Sequence, residues 1–514
     1  MKTNKYIITC ITAGLIVLSG CSKDFLEVSP QGQLTEDQVL KDPNAANQLV
    51  GGVYSTLYFG GFDNTTVGFL FECLNDMASD DTDKGSSPSD FSAGGEIDNF
   101  TVTANNFVLN NIWQGHYSAI NRANKAIDVL TQSTFDEGVK NTLIGEVRFL
   151  RGIYYFNMVR CFGGVPKVIR TPDPSEGNSD EFQTRSTKEE IYQVILDDLQ
   201  FAADNLPEKG STEVGRATKG AAQSYLAKVY MYQKNWAKVL ENTTAVINSG
   251  RYNLVNDYSL IFRENAVGND GGNNNVESIF EVQTGINLGE NAVSLLYSNG
   301  QGPRSKGGWN DLGFGINTPS SDLANAYEAN DKRRAASIIF INPTVIHKDG
   351  GNPLNVGTVL WDGFRIPTQD SVENERYNYK AFHSSLKESP QVSNNKDSKP
   401  KNIRLMRYAD VLLMYAEAQA NLGNSGEAEA KLKLVRNRAG LVTVAGTVAN
   451  IWNERRVELA MEQDRFFDLV RQGRAGTVLR AKGKAFVDGK NELFPIPQAQ
   501  RDLSAGRLTQ NPGY

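Results

Sequence analysis

The chain has 514 residues, of which 40% are hydrophobic and 22% charged, and its formal net charge is −6. This length suffices for two to four ordinary domains or for one large helical body with a sizeable core. The composition is that of a water-soluble fold, and the acidic balance argues against a nucleic-acid-binding protein, because phosphates call for clustered Lys and Arg.

The N-terminus predicts a secretory signal peptide over residues 1–20. Lys2 and Lys5 precede an apolar run from Tyr6 to Leu18. A basic start, a short apolar run and small residues before a cleavage site are typical of an export signal. The run is also shorter than the ~20 apolar residues of a membrane-spanning helix, so we expect the signal to be removed from an exported protein.

Cys21 follows this signal directly, after Ser19-Gly20. Small residues before a Cys at this position are typical of a lipobox, in which the thiol is acylated and becomes the first residue of the mature chain. The alternative is a soluble exported protein with a coincidental Cys. We expect Cys21 to be the lipidation site and the polar residues 21–42 to form a tether between the lipid and the fold.

Residues 43–250 predict the first helical part of the fold. Apolar residues recur there at intervals of three and four, as on one face of a helix. Thr187, with Glu190 three positions later, predicts a capping box at one helix start. The predicted helices are Asn44–Tyr58, Ile112–Leu130, Leu143–Met158, Lys188–Leu206, Lys219–Tyr232 and Trp236–Asn248.

Residues 404–514 predict a second helical part. Arg404–Leu422 and Glu427–Ala439 are separated by a short Gly-containing turn, and the last two helices before residue 250 form a similar pair. Ala227 and Ala416 lie at similar distances before the two turns, as in degenerate tetratricopeptide hairpins. We predict a mostly α-helical fold, with tetratricopeptide-like hairpins in one large body that carries a long, irregular, loop-rich insertion.

That insertion is predicted over residues 251–403. Helical periodicity largely disappears there, and Gly, Asn, Ser and Pro are frequent. Long irregular segments within a regular scaffold are usually functional or disordered, and the aromatic residues of this one favour order. We therefore expect the insertion to face a ligand. The acidic, Gly/Ser-rich stretch Ala78–Asp98 is predicted as a further loop.

The sequence carries no short catalytic or metal-binding motif. Its three histidines are each isolated, and no zinc, phosphate-loop or nucleophile-elbow pattern is present. A glycosidase stays open on chemistry alone, because two carboxylates suffice for that reaction and leave no short signature.

Glu454, Glu458 and Glu462 recur every four residues within a charge-rich segment, Asn453–Gly473, that is predicted as one helix. Three carboxylates on one face could bind a metal or supply an acid–base pair. We favour a structural interpretation, in which arginines of the same segment neutralise them. Those arginines are Arg455, Arg456, Arg465 and Arg471.

Two further features leave alternatives open. Asp81 and Asp83 could begin an irregular calcium site, although the ligand pattern of an EF-hand is missing and a solvated acidic loop is the simpler interpretation. Cys73 and Cys161 could form one disulfide or remain buried thiols. No other metal and no cofactor is expected.

Aromatic residues in polar loops suggest a carbohydrate site. Sugars have apolar C–H faces and polar rims, so their sites combine aromatic rings with amide, carboxylate and Arg groups. The alternative for each ring is a core aromatic that fixes a loop. The candidate ligand contacts are Asp76, Phe91, Tyr297, Trp309, Asn310, Phe314 and Trp361.

Short segments along nearly the whole mature chain resemble the SusD/RagB family of outer-membrane nutrient-uptake lipoproteins. Each segment alone is weak, but their number and order carry the resemblance. They are Cys21, Glu72–Asp83, Trp113–Asn124, Glu146–Gly152, Phe162–Pro166, Gly215–Thr218, Asn330–Arg333, Arg407–Ala418, Glu454–Leu459, Arg465–Leu469, Phe494–Pro497 and Gln510–Tyr514.

The resemblance implies a helical, non-catalytic lipoprotein that is anchored in the outer membrane by its lipid and faces the cell exterior. Such a protein captures an oligosaccharide, or in some relatives a peptide, and passes it to a TonB-dependent barrel. The matching segments would be scaffold, and ligand contacts would come from variable loops. On that basis the loops Ala78–Asp98 and Gly285–Asn317 are the places where ligand contacts are expected.

Overall fold

The computed structural model of the chain describes residues 35–59, 61–284, 293–307, 309, 311–343, 357–388 and 399–514. The predicted signal peptide at 1–20, the lipidation site Cys21, most of the predicted tether and the candidate contact Asn310 lie outside these residues. Among the described helices, none combines the length and apolar character needed to cross a membrane.

Helices dominate the described residues, as the periodicity predicts. The first group is α1 Glu36–Lys41, α2 Pro43–Tyr54, α3 Phe69–Met77, α4 Ser92–Asp98, α5 Phe107–Thr131, α6 Glu137–Phe162, α7 Asp180–Gln183, α8 Lys188–Asn205, α9 Lys219–Tyr232 and α10 Trp236–Asn248. The second group is α11 Val293–Gln301, α12 Ser321–Ala326, α13 Lys332–Ser337, α14 Tyr408–Asn421, α15 Ser425–Arg438, α16 Val448–Glu458, α17 Arg465–Arg471, α18 Ala475–Ala481 and α19 Gln498–Leu503.

Short strands pair in four antiparallel two-stranded sheets within the described residues. Two of these sheets tie the insertion to the helical parts: β1 pairs with β3, with Thr82 opposite Pro319, and β2 pairs with β8, with Val282 opposite Ile403. The strands are β1 Thr82–Gly85, β2 Ser278–Val282, β3 Ile316–Pro319, β4 Ile338–Phe340, β5 Thr358–Val359, β6 Arg365–Ile366, β7 Arg376–Asn378 and β8 Ile403–Arg407.

The two predicted helical hairpins are confirmed. Helix α9 packs against α10, α14 packs against α15, and α10 also packs against α14. Ala227 and Ala416 are fully buried, so small residues do lie where the helices meet. The predicted capping box also forms, because the backbone N–H of Glu190 donates to Thr187 Oγ1 at 3.2 Å and the carboxylate of Glu190 accepts from the N–H of Thr187 at 2.8 Å.

The longest helices pack side by side around α6. This helix contacts both α5 and α8. Gly152 lets α8 approach, since a Cβ there would lie 3.1 Å from Leu199. Arg151 and Asp198 lock the same contact, because the guanidinium Nε and Nη2 each donate to one carboxylate oxygen at 2.7 Å. Such bidentate pairs fix orientation as well as charge.

Several predicted boundaries are wrong. Part of the predicted tether is helical, because Thr35 and Gln38 form a capping box on α1. The predicted loop Ala78–Asp98 contains β1 and α4. Residues 404–407 belong to a strand, not to the helix that follows. The predicted helix Asn453–Gly473 is two helices, α16 and α17, separated where Met461 and Gln463 adopt positive φ of +60° and +72°.

The C-terminal carboxylates are neutralised, as favoured, but by different arginines from those predicted. Arg333 binds both Glu454 and Glu458, with Nη1 to Glu458 Oε2 at 3.0 Å. Arg407 Nη1 lies 2.8 Å from Glu458 Oε1, and its Nε lies 2.6 Å from Glu462 Oε2. The arginines of α16 and α17 bind other carboxylates instead, since Arg455 pairs with Asp410 and Asp468. Arg471 pairs with Glu417 and Asp468. Sequence spacing does not reveal partners that the fold brings from distant segments.

The arginines keep the neighbouring carboxylates ionised. Burial alone would raise the pKa of Glu458, but Arg438, Arg407 and Arg333 hold it well below its usual range. Ion pairs buried this deeply connect the insertion, α14, α15 and α16, so we interpret this charge pattern as scaffold rather than as a metal or acid–base site.

The insertion has its own small apolar core. The cluster is separate from the main core of the helical parts. Trp309, Trp361, Phe364 and Tyr379 pack on it while remaining partly exposed. Its buried members are Leu312, Ile339, Ile341, Leu360, Ile366, Val372, Tyr377 and Phe382. The loop-rich region is therefore an ordered platform wherever it is described.

Candidate functional site

Three loops meet at one surface of the platform. They are residues 85–91 after β1, 302–311 after α11, and 367–376 before and into β7; we refer to them together as the three-loop surface. Arg304 links them, because its guanidinium donates to Ser86 Oγ at 2.7 Å and pairs with Asp90. Its carbonyl accepts the N–H of Glu373 at 3.1 Å.

Further hydrogen bonds fix these loops to one another. The N–H of Ser86 donates to Asn374 Oδ1 at 3.0 Å. The N–H of Lys306 donates to the carbonyl of Ser371 at 3.0 Å, beside a β-bridge between Ser305 and Val372. Backbone pairing of this kind makes a preorganised surface, which lowers the entropy lost on binding a ligand.

An open polar cleft of about 500 Å³ is lined by residues of the first and third loops together with residues of β1, α4 and β3. Asp83 and Asp98 on one wall are paired with Lys482 and Lys484, at 2.9 and 2.6 Å. The opposite wall brings amide and charged groups from the third loop. That wall contains Gln369, Glu373, Asn374, Glu375 and Arg376. The cleft thus offers the donors and acceptors that the polar rim of a sugar requires.

Phe91 belongs to a cluster of four phenylalanine rings. Its ring centroid lies 5.8 Å from that of Phe62 and 6.2 Å from that of Phe107, both in edge-to-face geometry. Phe62 in turn meets Phe69 at 5.8 Å. Phe62 is 40% exposed and Phe107 42%, so the outer rings present apolar surface to solvent. Exposed rings at this spacing can accept the C–H face of a sugar.

The backbone places the Phe91 ring at this position. Phe91 adopts a left-handed conformation with φ of +49° directly before α4. Its ring rests on Gly94, where a Cβ would lie only 2.4 Å from the ring. The Gly pair that suggests a loop in the sequence instead leaves room for an aromatic side chain inside a helical turn.

Trp309 lies on the second loop and is partly buried. Its indole N–H donates to the carbonyl of Ser371 at 2.8 Å, so the ring is fixed between the second and third loops. One side packs on the small core of the insertion. Trp309 therefore fixes a loop and also keeps exposed surface, and its role as a ligand contact stays a prediction.

Trp361 is also at the surface, but its ring face is occupied. The guanidinium carbon of Arg263 lies 3.6 Å from the ring centroid. Both residues line a second cleft of about 300 Å³, next to Tyr379 and Phe382. Trp361 and Trp309 pack on the same small core, but Trp309 is not among the residues that line the second cleft, so the structure does not gather them into one site.

Two predicted ligand contacts are wrong because they are buried. Asp76 is 1% exposed, and its Oδ2 accepts from Asn317 Nδ2 at 3.0 Å. Burial raises the pKa of Asp76 to about 7, although the hydrogen bond from Asn317 lowers it. Tyr297 is 5% exposed and belongs to the main core. Phe314 is partly buried against that core, and its role as a contact stays a prediction.

The acidic stretch is not a solvated loop, and its carboxylates are occupied by cations of the protein. Asp80 binds Arg465 and Arg456, with Nε of Arg465 at 2.7 Å. Asp81 is fully buried and pairs with Arg456 at 2.7 Å. Since Asp83 pairs with Lys482, the predicted calcium ligands face arginine and lysine, which makes this an unsuitable cation site.

Glu264, His383 and Glu388 are the group of possible metal ligands found among the described residues. Their ligand atoms lie within 4.8 Å of one another. However, Lys401 Nζ lies 3.4 Å from Glu264 Oε1, so a cation of the chain already sits beside these carboxylates. The two cysteines are both buried free thiols, which excludes the disulfide alternative.

Sequence reasoning missed several residues of the three-loop surface and of the phenylalanine cluster around Phe91. Arg304, Asp90, Phe62 and Phe107 carry no local pattern that separates them from ordinary surface residues. The signal that could have found Arg304 is its position between Pro303 and a Gly-rich run, inside a loop already expected to face a ligand. Its partners come from segments more than 60 residues away, which no single-sequence pattern records.

The chain matches two sequence models of one group of proteins. The model described as "SusD family" matches residues 276–514, and the model described as "Starch-binding associating with outer membrane" matches residues 24–231. Together they span most of the first helical part, most of the insertion and all of the second helical part.

Individual relatives match over nearly the full length. A SusD-like protein P2 of Formosa agariphila is 26% identical, with 99% of this chain and 100% of the relative covered. A SusD-like protein of Bacteroides ovatus is 28% identical, with 91% of this chain and 82% of the relative covered. The solved structure of a laminarin-binding SusD-like protein superposes with a TM-score of 0.75 at 27% identity, covering 92% of this chain and 99% of that one.

The sequence segments, the helical hairpins and these matches agree along the whole described chain. We conclude that the protein belongs to the SusD/RagB family.

Proposed function

We propose that the protein is a non-catalytic receptor that binds an oligosaccharide at the three-loop surface and delivers it to a TonB-dependent outer-membrane barrel. The relatives support binding of this kind, since one is named as binding laminarin and a family model as starch-binding. The observation that carries the proposal is the meeting of the three loops at Arg304. Phe91 lies on the first loop and Trp309 on the second, beside an open polar cleft that the first and third loops line.

The location of the protein is part of this proposal. Cys21 follows an export signal and would carry the lipid anchor, and one matching family model is described as associating with the outer membrane. A lipid at the first residue would keep the helical body beside the barrel while the loops face the exterior.

Binding without catalysis agrees with how the cleft carboxylates are arranged. Of the four cleft carboxylates, Asp83 and Asp98 are paired with lysines and Glu375 with Arg376 at 2.8 Å, which leaves Glu373 as the one without an ion pair among the described residues. A glycosidase needs one carboxylic acid and one free carboxylate that face the scissile bond. Paired carboxylates are better suited to accepting hydrogen bonds from sugar hydroxyls.

Isothermal titration calorimetry with Trp309→Ala tests the binding surface. We expect wild-type protein to bind laminarin, or another neutral polysaccharide of a panel, with micromolar-to-millimolar affinity. Loss of one stacking ring should weaken binding by about 1–2 kcal/mol, roughly tenfold. Trp236→Ala is the matched control, because that ring is also partly buried but lies on the α9–α10 hairpin.

Equal binding by Trp309→Ala and wild type would contradict the proposed surface. Reducing ends released from a bound polysaccharide by purified protein would establish the glycosidase alternative. A panel in which peptides bind and no polysaccharide does would favour the peptide-capturing alternative.

A further inference from the structure

The second cleft contains cations that have no carboxylate partner among the described residues. Arg263 lines it and is partly buried, and Lys332 lines it from α13. Lys387 approaches from the segment after β7, with its Nζ 5.9 Å from the centroid of the Trp361 ring. In the described part of the chain, none of the three forms an ion pair.

The nearby carboxylates are already used elsewhere. Asp362 accepts from Ser384 Oγ at 2.6 Å and from the N–H of Phe364 at 2.9 Å. Glu388 accepts from the N–H groups of Glu264 and Ser384, at 2.7 and 2.8 Å. These acids therefore turn toward their own loops, and no other carboxylate in the described part of the chain pairs with Arg263 on its cleft side.

Arg263 is held in place without being neutralised. Its guanidinium stacks on Trp361 at 3.6 Å, and its Nε donates to the carbonyl of Ser259 at 3.2 Å. Burial lowers the pKa of Arg263 to about 10, since nearby acids only partly offset the loss of water. Stacking on an aromatic ring restricts the planar donor group and presents its remaining N–H groups in one direction.

Elsewhere in the protein, the fully buried Arg333, Arg407 and Arg455 are all neutralised by carboxylates. Arg333, Arg407 and Arg455 are as deeply placed in the fold as any side chain, and each is bound by at least two carboxylates. A buried cation without such a partner carries a desolvation cost that a bound anion would offset. Arg263 differs from those arginines because it borders an open cleft, where the anion can come from solution.

We propose that this cleft is a second carbohydrate subsite, which takes an acidic sugar by binding its carboxylate or sulfate ester to Arg263. The inference rests on the proposed function in assuming that the ligand is a glycan. Guanidinium binds both anionic groups through paired hydrogen bonds, and Lys332 and Lys387 would add long-range attraction. Leu360 and Phe382 supply an apolar wall for the C–H face of the ring.

The three-loop surface and the second cleft would then bind different segments of one long glycan. The three-loop surface offers exposed rings and paired charges, which suit a neutral segment. The cleft of Arg263 offers an unneutralised cation, which suits a uronic acid or a sulfated residue. The three-loop surface and the second cleft both border the small core of the insertion, through Trp309 and Trp361, so one chain could occupy them together.

Calorimetric titration of the full chain with four probes tests this inference. The probes are an oligogalacturonate for the carboxylate, a sulfated galactan oligosaccharide for the sulfate ester, a neutral laminari-oligosaccharide, and an oligoglutamate peptide. We expect at least one acidic oligosaccharide to bind, with affinity that falls as sodium chloride is added. Arg263→Gln should weaken that binding about tenfold, since a charge-assisted hydrogen bond is lost.

Further variants separate this role from a structural one. Arg263→Lys should retain part of the acidic-sugar affinity, because the charge remains while the paired donors are lost. The double variant Lys332→Gln with Lys387→Gln changes only exposed side chains and should weaken acidic-sugar binding in a salt-dependent way, even if Arg263→Gln does not fold. Trp309→Ala should leave acidic-sugar affinity within about twofold of wild type.

The outcomes distinguish this inference from the proposed function. Neutral sugar binding together with no acidic sugar binding, or with acidic binding that neither set of variants weakens, would overturn the second subsite and leave the three-loop surface intact. Acidic binding that depends on Arg263, with no neutral binding, would support the subsite and contradict the three-loop proposal. Binding of the peptide alone would overturn the carbohydrate assignment of the cleft.

Discussion

Charged side chains in this protein either stabilise the fold or face a cleft. The two kinds differ in how deeply they are buried and in whether they form ion pairs. Glu458 is fully buried and bound by Arg333, Arg407 and Arg438, so its charge is part of the scaffold. Arg263 borders a cleft and lacks such partners among the described residues. The sequence presents both as ordinary charged residues, because the difference lies in which distant segments surround them.

Glu458→Gln should strongly destabilise the fold. Removing one carboxylate leaves three buried guanidinium groups with less compensation, and breaking a buried ion-pair network typically costs about 3–5 kcal/mol. Chemical denaturation at neutral pH would measure the loss in the free energy of unfolding. Glu241→Gln serves as a control, since its pair with Lys238 is exposed and should contribute far less to the free energy of unfolding. Equal losses in the two variants would contradict a scaffold role.

Asp76 should make stability depend on pH in the opposite sense to the ion pairs. Burial raises its pKa from 3.8 to about 7, so the folded state binds a proton that the unfolded state releases. The stability from that proton is complete below about pH 4 and is lost as pH rises to about 7.

Asp76→Asn should remove this dependence while retaining an acceptor for Asn317. Relative to wild type, the variant should gain stability between pH 5 and pH 7.5, by an amount on the order of 1–4 kcal/mol. Urea unfolding of both proteins at the two pH values measures the difference. Parallel pH profiles for wild type and variant would show that the Asp76 carboxyl does not titrate in this range.

The helices were the most predictable elements, because their signals are local. Capping by Thr187 and Thr218 and the stop at Gly250 all lie within a few residues of the helix ends they define, and α9 and α10 have the predicted boundaries. The misplaced elements depend on distant partners. Strand β8 forms because β2 pairs with it, and α4 forms around a Phe91 ring that packs on the N-terminal helices.

The turns of the two helical hairpins both contain a residue in the left-handed conformation, but the residue type differs. Lys234 follows the last turn of α9 with φ of +57°, and Gly423 occupies the equivalent place after α14 with φ of +84°. In both turns the next residue donates back to the helix, at 2.9 Å, from Asn235 and Asn424. Gly adopts this left-handed conformation without the steric cost that a side chain carries.

Lys234→Gly should therefore stabilise the protein by about 0.5–1 kcal/mol, because relief of left-handed strain outweighs the greater freedom of Gly in the unfolded chain. Gly423→Ala should destabilise it by at least about 1 kcal/mol. Thermal or urea unfolding of both variants checks the pair. A destabilised Lys234→Gly protein would mean that the Lys side chain contributes contacts that the turn geometry does not require.

The loops of the candidate site were only partly predictable. Gly, Asn and aromatic composition correctly indicated Phe91 and Trp309 as residues at a surface, and it wrongly included Tyr297 and Asp76. Composition cannot distinguish a ring that covers the core from one that borders a cleft. The decisive contacts, such as Arg304 to Asp90 and Trp309 to Ser371, join loops that are far apart along the chain.

Considered as a whole molecule, the chain combines a rigid helical body with an ordered platform of loops. Buried ion pairs join the insertion to the C-terminal helices, and two small sheets join it to the N-terminal part and to β8. A platform fixed in this way can present clefts of constant shape. The fold class was evident from sequence, whereas the second core and the two clefts required the arrangement in space.

Cys21→Ala tests how the molecule is attached. We expect the wild-type protein to incorporate labelled fatty acid and to fractionate with the outer membrane. The variant should lose both properties, because a single acylated residue is the proposed anchor. Unlabelled wild-type protein, or a Cys21→Ala protein that stays with the membrane, would contradict the proposed anchoring.

Hydrogen–deuterium exchange with and without a bound glycan tests most directly the claim that the three-loop surface selects the ligand. With a polysaccharide that binds in calorimetry, slower exchange is predicted for residues 85–91, 302–311 and 367–376, with the polysaccharide recovered uncut. Protection confined to other segments, or recovery of shortened chains, would contradict that claim.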